Sequence, residues 1–206
     1  MEHCVISISR EFGSGGLMVG ELVAKRLGIP CYDREIVLKA AERSGLTPEF
    51  ISQSEERAKS RFHMAVSPVG LGEAYSDRHD LPDGHRAFYA QAEIIRELAK
   101  QGPCVIVGRC SDYILQDHAN CLKIFIHADL PTRVQRCVEQ YKIPAEDMER
   151  RITGMDRDRA NYYNYYTGND WGDMRRYDLA IHSGSSGIEG AADLIEALVH
   201  LRGGIQ

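Results

Sequence analysis

Short apolar runs and helix-like periodicities alternate from the first residues of the chain onward. A β-branched run at residues 4–9 ends at a glycine-rich turn, and from Leu17 the apolar residues recur with helical spacing. Gly28 follows the last of them and is typical of a helix end. The pattern therefore predicts a buried strand, a glycine loop and a helix, which is the order of a phosphate-binding unit.

The rest of the chain continues the alternation of strands and helices. Further apolar runs predict strands at 29–32, 104–107, 122–126 and 179–182. Helical spacing predicts helices near 35–43, near 85–100, beyond Pro131 and at 188–201. Since strands separated by helices pair in parallel through right-handed crossovers, we expect a three-layer α/β fold, with a parallel sheet flanked by helices.

Two segments depart from this pattern. Residues 44–85 are rich in Ser, Gly, Pro, Asp, Arg and His, and they are too long for a simple connection. Residues 144–176 are charged and arginine-rich, with a cluster of tyrosines. We interpret the first segment as an insertion that closes on a substrate, with a mobile excursion as the alternative. The second is expected to form a lid.

Length, charge and cysteine content narrow the class of protein. A chain of 206 residues with a formal net charge of −5 favours one domain over 1–206, and it argues against nucleic-acid and membrane partners. No apolar run approaches the roughly 20 residues that span a bilayer, and we expect a cytoplasmic protein. Six cysteines without a Cys-x-x-Cys pair are expected to be reduced thiols, and no metal site is expected. The sequence leaves open whether the protein forms a homo-oligomer.

The run from Arg10 to Gly16 follows the first strand, where a phosphate loop is expected. Glycines there let backbone N–H groups approach phosphate oxygens, and the start of the next helix adds partial positive charge. The usual loop ends in Gly-Lys-Ser/Thr, whereas this chain has Gly16 in place of the lysine and Leu17 in place of the hydroxyl residue. Two interpretations stay open. Either the loop holds phosphates while Arg10 or a lid arginine supplies the missing charge, or the glycines form only a tight turn.

Five short motifs occur in a fixed order along the chain. They are Ile8-Ser9-Arg10-Glu11-Phe12-Gly13-Ser14-Gly15-Gly16, Tyr32-Asp33-Arg34-Glu35, Val105-Ile106-Val107-Gly108-Arg109-Cys110, Asp156-Arg157-Asp158-Arg159-Ala160 and Tyr177-Asp178-Leu179. In this order and spacing the chain resembles the cytidylate kinase-like family of P-loop proteins over essentially its whole length. The resemblance implies a P-loop kinase-like fold and an ATP- and Mg²⁺-dependent transfer of phosphate to a nucleoside monophosphate such as CMP or dCMP.

The resemblance also implies roles for particular residues. The ATP phosphates would be held by Gly13, Ser14, Gly15 and Gly16. The acceptor would be bound by Asp33, Lys39, Arg109 and Asp112, where Asp112 is a nearby substitute for the family aspartate whose position is Cys110. The catalytic lid group would comprise Arg151, Asp156 and Arg159, and Arg10 joins it as the candidate for the missing loop charge.

Less specific interpretations remain beside these roles. Arg109 could form a structural ion pair, Asp33 could cap the helix that follows it, and the lid arginines could lie on a solvated helix. The tyrosines and Trp171 could stack on bases or pack between lid and core. A nucleotide-binding protein with little turnover, and a kinase for a non-nucleotide metabolite, are the alternatives to a nucleoside monophosphate kinase.

Overall fold

Five parallel strands form one sheet in the computed structural model, which describes residues 3–56 and 81–204. The strands are β1 (Val5–Arg10), β2 (Cys31–Tyr32), β3 (Cys104–Val107), β4 (Cys121–His127) and β5 (Leu179–His182). Their order across the sheet is β2-β3-β1-β4-β5. The predicted parallel sheet is confirmed, and β2 is shorter than the pattern indicated.

Helices connect the strands and cover the sheet. They are α1 (Gly16–Leu27), α2 (Arg34–Ser44), α3 (Pro48–Glu56), α4 (Asp83–Gln101), α5 (Ser111–Ile114), α6 (Leu130–Glu139), α7 (Met148–Thr167) and α8 (Ser183–Leu201), with a 3₁₀ turn at Met174–Arg176. Non-helical backbone at Gly187 interrupts α8.

Two apolar layers hold the sheet between the helices. On one face, α1 and α8 contribute buried residues such as Val23 and Ile195 to a core that also contains Ile8 and Leu122. On the other face, α4 and α7 pack against β3 and the start of β1. The predicted three-layer α/β arrangement is therefore confirmed.

The strand order fixes where a ligand site can lie. β3 and β4 flank β1 on opposite sides, so the chain crosses from one side of β1 to the other between them. In open parallel sheets, ligands bind beyond the carboxyl ends of the strands at such a point. The segments that follow β1, β3 and β4 meet at this edge, and they include the glycine loop and Arg109.

The two irregular segments contain more helix than their sequences indicated. Within 44–85, the structure has α3 and the first residues of α4, while 57–80 lie outside the described residues together with most of the predicted insertion. Within 144–176, α7 runs for 20 residues. Its low apolar periodicity hid this helix, because its exposed face carries charges and its buried face carries tyrosines.

Two leucines, one buried and one exposed, allow the contribution of the central core to the free energy of unfolding to be tested. Leu122 in β4 is 0% exposed, whereas Leu201 at the end of α8 is 85% exposed. We expect Leu122→Ala to lower the free energy of unfolding by about 2–5 kcal/mol, since it removes buried methyl groups and leaves a cavity. Leu201→Ala should change it by less than about 0.5 kcal/mol. Urea unfolding of both variants checks this, and equal effects would contradict the assigned burial.

Candidate functional site

The glycine loop between β1 and α1 has the backbone shape of an anion-binding turn. Gly13 and Gly15 adopt left-handed conformations, with φ of 78° and 83°. Gly15 is the N-cap residue of α1 and provides no side-chain cap. The first N–H groups of a helix have no partner within it, so this end of α1 needs an external acceptor.

Three donors from neighbouring helices bind the carbonyl groups of the loop. Arg133 Nη1 donates to the Phe12 carbonyl at 3.4 Å and Arg136 Nη1 donates to the Gly13 carbonyl at 2.9 Å. Ser183 Oγ donates to the Ser14 carbonyl at 2.5 Å. In a trans peptide the C=O and the following N–H point in opposite directions. The amides of residues 13–15 therefore point away from these three donors, where that of Ser14 bonds the Glu11 carbonyl at 3.3 Å and that of Gly15 meets the Tyr141 phenol.

Asp156 on α7 joins the lid helix to this loop. Its Oδ1 accepts a hydrogen bond from the Phe12 amide at 2.7 Å, and its Oδ2 accepts one from Arg133. Arg133 and Arg136 are each only 8% exposed, so these charges depend on their protein partners. The catalytic role that the sequence indicates for Asp156 stays a prediction, and its contacts join α7 to the start of the loop.

Tyr141 is a partly buried phenol beside the loop, close to two arginines. Burial raises the pKa of its phenol, and the opposing influences that lower it include Arg136, Arg159 and the Gly15 amide. Burial outweighs these influences, so the phenol stays neutral, but they place Arg136 and Arg159 near the loop.

A second turn, directly after β3, is held in a strained conformation. Gly108, Arg109 and Cys110 have φ of 76°, 60° and 54°, so three consecutive residues lie in the left-handed region. This region is energetically unfavourable for residues other than glycine. Such strain persists where the surrounding structure enforces it, often at functional sites. The turn directs Arg109 back over the edge of the sheet.

Arg109 and Asp33 come together at this edge. Arg109 Nη2 donates to Asp33 Oδ1 at 3.0 Å, and both side chains are largely buried. Asp33 precedes α2 but makes no side-chain capping bond, so the capping interpretation is not supported. The ion-pair interpretation of Arg109 is seen in the structure, and Arg109 also lines a cleft.

This cleft, with a volume of about 280 Å³, lies between the two turns and the lid helix. Three predicted arginines line it: Arg10, Arg109 and Arg159. Arg159 Nη1 donates to the Arg10 carbonyl at 3.1 Å, and its guanidinium lies 5.5 Å from the centre of the Phe12 ring. The remaining lining residues are Ser9, Phe12, Asp33, Ser52, Gly108, Cys110, Met155, Tyr162, Tyr163 and Trp171.

Lys39 and Arg151 do not line this cleft. Lys39 lies on α2 and forms an ion pair with Glu35 at 3.3 Å. Arg151 lies exposed near the start of α7. Arg159 contacts the first residue of the loop through the Arg10 carbonyl.

Asp112 lies beneath the cleft. It is 3% exposed and its Oδ2 accepts a hydrogen bond from the Tyr163 hydroxyl at 2.7 Å. Burial raises the pKa of Asp112, and the bond from Tyr163 opposes that rise. Its position favours support of the cleft floor, since it is not among the lining residues.

The raised pKa of Asp112 predicts a pH-dependent effect on stability. The native state binds this proton more readily than the unfolded chain, so Asp112 disfavours folding increasingly as pH rises above about 4. Asparagine is neutral throughout. We therefore expect the free energy of unfolding of Asp112→Asn, relative to the unsubstituted protein, to be higher at pH 7 than at pH 4. Urea unfolding at both pH values checks this, and a constant difference would contradict it.

The aromatic residues of the lid mainly serve packing. Tyr162 and Tyr166 are buried, and Tyr166 stacks on Phe88 at a centroid distance of 4.2 Å. Trp171 makes an edge contact with Phe125 at 5.6 Å and also lines the cleft. A stacking role stays a prediction only for the aromatic residues that line the cleft.

The residues that bind the loop carbonyls were not identified from the sequence. Arg133, Arg136 and Ser183 lie far from the loop along the chain. A weak signal was present, because Arg133 and Arg136 are three apart in a helix that begins just beyond β4. Two arginines on the buried face of a helix at a ligand-binding edge indicate an anion or a set of carbonyl groups.

The remaining predictions concern thiols and membrane spans. All six cysteines are reduced thiols in the structure, and burial raises the pKa of Cys31 and Cys104 to about 12. Among the helices of residues 3–56 and 81–204, none has the length and apolar character needed to cross a bilayer.

The fold and the loop together define an α/β protein of the phosphate-loop kinase class. A family model for the cytidylate kinase-like family matches residues 5–185. The chain belongs to the cytidylate kinase-like family. A cytidylate kinase from Pyrococcus horikoshii is 30% identical over 200 residues, which cover 96% of this chain and 89% of that protein.

Solved structures support the same fold. An uncharacterized protein from Eubacterium ventriosum is similar with a TM-score of 0.69 and 28% identity, covering 96% of this chain and 98% of that one. A shikimate kinase from Bacteroides thetaiotaomicron is similar with a TM-score of 0.53 and 11% identity, covering 96% of this chain and 99% of its own. The second similarity concerns the fold alone.

Proposed function

We propose that this protein transfers the terminal phosphoryl group of ATP to a nucleoside monophosphate, with CMP or dCMP as the favoured acceptors. The observation that carries the proposal is the arginine-lined cleft directly beside the glycine loop. Three arginines and one aspartate line it, a formal charge of about +2, so the cleft suits an acceptor with about two negative charges. A nucleoside monophosphate has such a phosphate group, whereas a neutral sugar does not.

In this proposal the loop binds the donor and the cleft binds the acceptor. The amides of residues 13–15 and the start of α1 would hold ATP phosphates, while Arg109 would hold the acceptor phosphate. Arg159 reaches from the lid to the loop, where it would neutralise charge on the transferred group. Transfer needs the two phosphates in line, and these turns supply the positioning.

Magnesium would enter with the donor nucleotide. Leu17 offers no oxygen where phosphate loops usually have a hydroxyl ligand, so the loop position itself does not fit the ion. The proposal therefore assigns Mg²⁺ to the nucleotide phosphates and routes no step through a protein ligand.

The reduced thiols and the family relationship also support a cytoplasmic enzyme. The relative from Pyrococcus horikoshii is a cytidylate kinase, which favours a pyrimidine acceptor for this chain too. Cys110 stands where the family has an aspartate, so base preference is the least constrained part of the proposal.

One set of observations favours a second function, namely nucleotide binding with little turnover. Leu17 removes a ligand for magnesium, and Asp33 neutralises part of the charge of Arg109. A protein of this kind would bind ATP and release ADP only at background rate.

A coupled assay of ADP release separates the two functions. CMP, dCMP, UMP, AMP and GMP are tested as acceptors, with shikimate and gluconate as acceptors that carry no phosphate. The proposal expects ADP release that depends on one of the monophosphates. Release only with shikimate or gluconate would contradict it, and ATP binding without release would favour the second function.

A further inference from the structure

The side chain of Arg10 lies in space left by two glycines. A Cβ atom on Gly16, at the start of α1, would lie 2.5 Å from Arg10 Cβ and 2.8 Å from its Cγ. A Cβ atom on Gly108, at the end of β3, would overlap the Arg10 guanidinium, with Cζ at 2.6 Å. The aliphatic part of Arg10 therefore crosses the helix start, and its charged end lies at the turn that carries Arg109.

These positions have a counterpart in the usual phosphate-loop pattern Gly-x-x-x-x-Gly-Lys-Ser/Thr. When Gly15 is aligned with the second glycine, Arg10 occupies the position of the first glycine and Gly16 that of the lysine. The chain thus has a cation where the pattern has glycine, and glycine where the pattern has the cation. The contact between Arg10 and Gly16 shows why the two changes accompany each other, since a side chain at 16 has no room while Arg10 is present.

We infer that Arg10 takes the role of the phosphate-loop lysine, and that Arg10 and Gly16 form one exchanged pair. The aliphatic part of Arg10 lies against Gly16 and its guanidinium against Gly108, and Arg10, Gly108 and Arg109 line the same cleft. This inference rests on the proposed function and extends it by assigning a second cation, beside Arg159, that neutralises charge on the transferred phosphoryl group.

The chemistry of the transfer stays that of the two nucleotides. The bond between the terminal phosphorus of ATP and the oxygen that leaves with ADP breaks, while a new bond forms between that phosphorus and an oxygen of the acceptor phosphate. The electron pair of the broken bond stays on ADP, and a fully ionised acceptor phosphate releases no proton. Arg10 forms no covalent bond and stabilises the negative charge on the transferred group and on ADP.

A double-mutant cycle tests the inference. Arg10→Gly removes the cation, and we expect turnover to fall by about 100-fold, the typical loss for one charge-stabilising group. Gly16→Lys alone should also lose turnover, because its side chain meets the stem of Arg10. The double variant Arg10→Gly/Gly16→Lys restores the usual pattern and should be at least ~10-fold more active than Arg10→Gly. This corresponds to an activation free energy lower by about 1.4 kcal/mol.

Two further variants separate charge from space. Arg10→Gly/Gly16→Ala reopens the same space without a charge, and it should be folded but no more active than Arg10→Gly. Gly154→Lys adds a lysine to a helical glycine with open space around it, and it should keep the activity of the unsubstituted protein. If Gly16→Lys does not fold, the comparison of the two double variants with Arg10→Gly still gives the answer.

The outcomes against the inference are distinct from failure of the proposed function. Near-normal turnover of Arg10→Gly would overturn the inference, and so would a folded lysine double variant with no more turnover than the alanine one. If the unsubstituted protein phosphorylates none of the acceptors, the proposed function fails. The ATP affinity of the same variants is then measured by calorimetry. Recovery of ATP affinity in the lysine double variant, but not in the alanine one, supports the inference. If the effects of the two single substitutions on the free energy of ATP binding simply add in the lysine double variant, the inference is overturned.

Discussion

Arg109→Gly is expected to lower kcat/KM for the nucleoside monophosphate by about 100-fold, with ATP affinity nearly unchanged. The reason is the loss of a charge-assisted contact to the acceptor phosphate, which costs on the order of 3 kcal/mol. Glycine is chosen because Arg109 has φ of 60°, where glycine is unstrained. Steady-state kinetics with the acceptor varied, together with calorimetry of ATP binding, measures both effects.

Arg109→Ala serves as the matched control. It removes the same guanidinium but keeps the backbone strain, so it should match Arg109→Gly in kinetics and be less stable by about 1 kcal/mol. If the two variants differ in kinetics in proportion to their stability, the effect comes from the turn rather than from the charge. An unchanged acceptor response in both would remove Arg109 from the site.

Gly13→Ala is expected to abolish stabilisation by ATP, because the loop cannot keep its shape around an added methyl group. A Cβ at Gly13 would lie 2.9 Å from Cys137 Sγ and 3.0 Å from the Arg133 carbonyl oxygen. Overpacking of this kind costs about 1–3 kcal/mol, in addition to the cost of alanine at φ of 78°. Thermal unfolding with and without ATP and Mg²⁺ measures the loss.

Gly28→Ala is the control for backbone strain. Gly28 has φ of 67° and nothing within 4 Å of an added Cβ atom, so it shares the strain of Gly13 without the contacts. Its stability should fall by about 1–2 kcal/mol while ATP still raises the unfolding temperature. Equal ATP responses in the two variants would mean that the loop at Gly13 does not hold the nucleotide.

The sheet and the place of the loop could be predicted from the sequence because both depend on local patterns. Val105-Ile106-Val107 is β-branched and buried, and Gly13 and Gly15 mark a turn that only glycine adopts without strain. Position at the carboxyl edge then follows from parallel pairing. These features need no knowledge of which distant residues come into contact.

The partners of the predicted residues could not be read in the same way. Asp156 was expected among the catalytic groups, yet its contacts are the Phe12 amide and Arg133, which lie 144 and 23 residues away along the chain. Asp112 was expected to bind the acceptor, yet the side chain is buried against Tyr163. A charged residue near a strand end can face the ligand or support the turn beneath it, and only tertiary packing decides between these roles.

Gly16 has a different meaning in the sequence and in the structure. From the sequence, glycine at this position is a missing lysine. In the structure it is the residue that admits Arg10. Its contact with Arg10 depends on the rotamer of one side chain, which the sequence pattern does not contain.

The position of a bound nucleotide tests the central claim most directly. A crystal structure with a non-hydrolysable ATP analogue, Mg²⁺ and CMP should place donor phosphates within hydrogen-bond distance of the amides of residues 13–15, with the acceptor phosphate on Arg109. A nucleotide bound elsewhere, with the loop amides and Arg109 making no contact to phosphate, would contradict it.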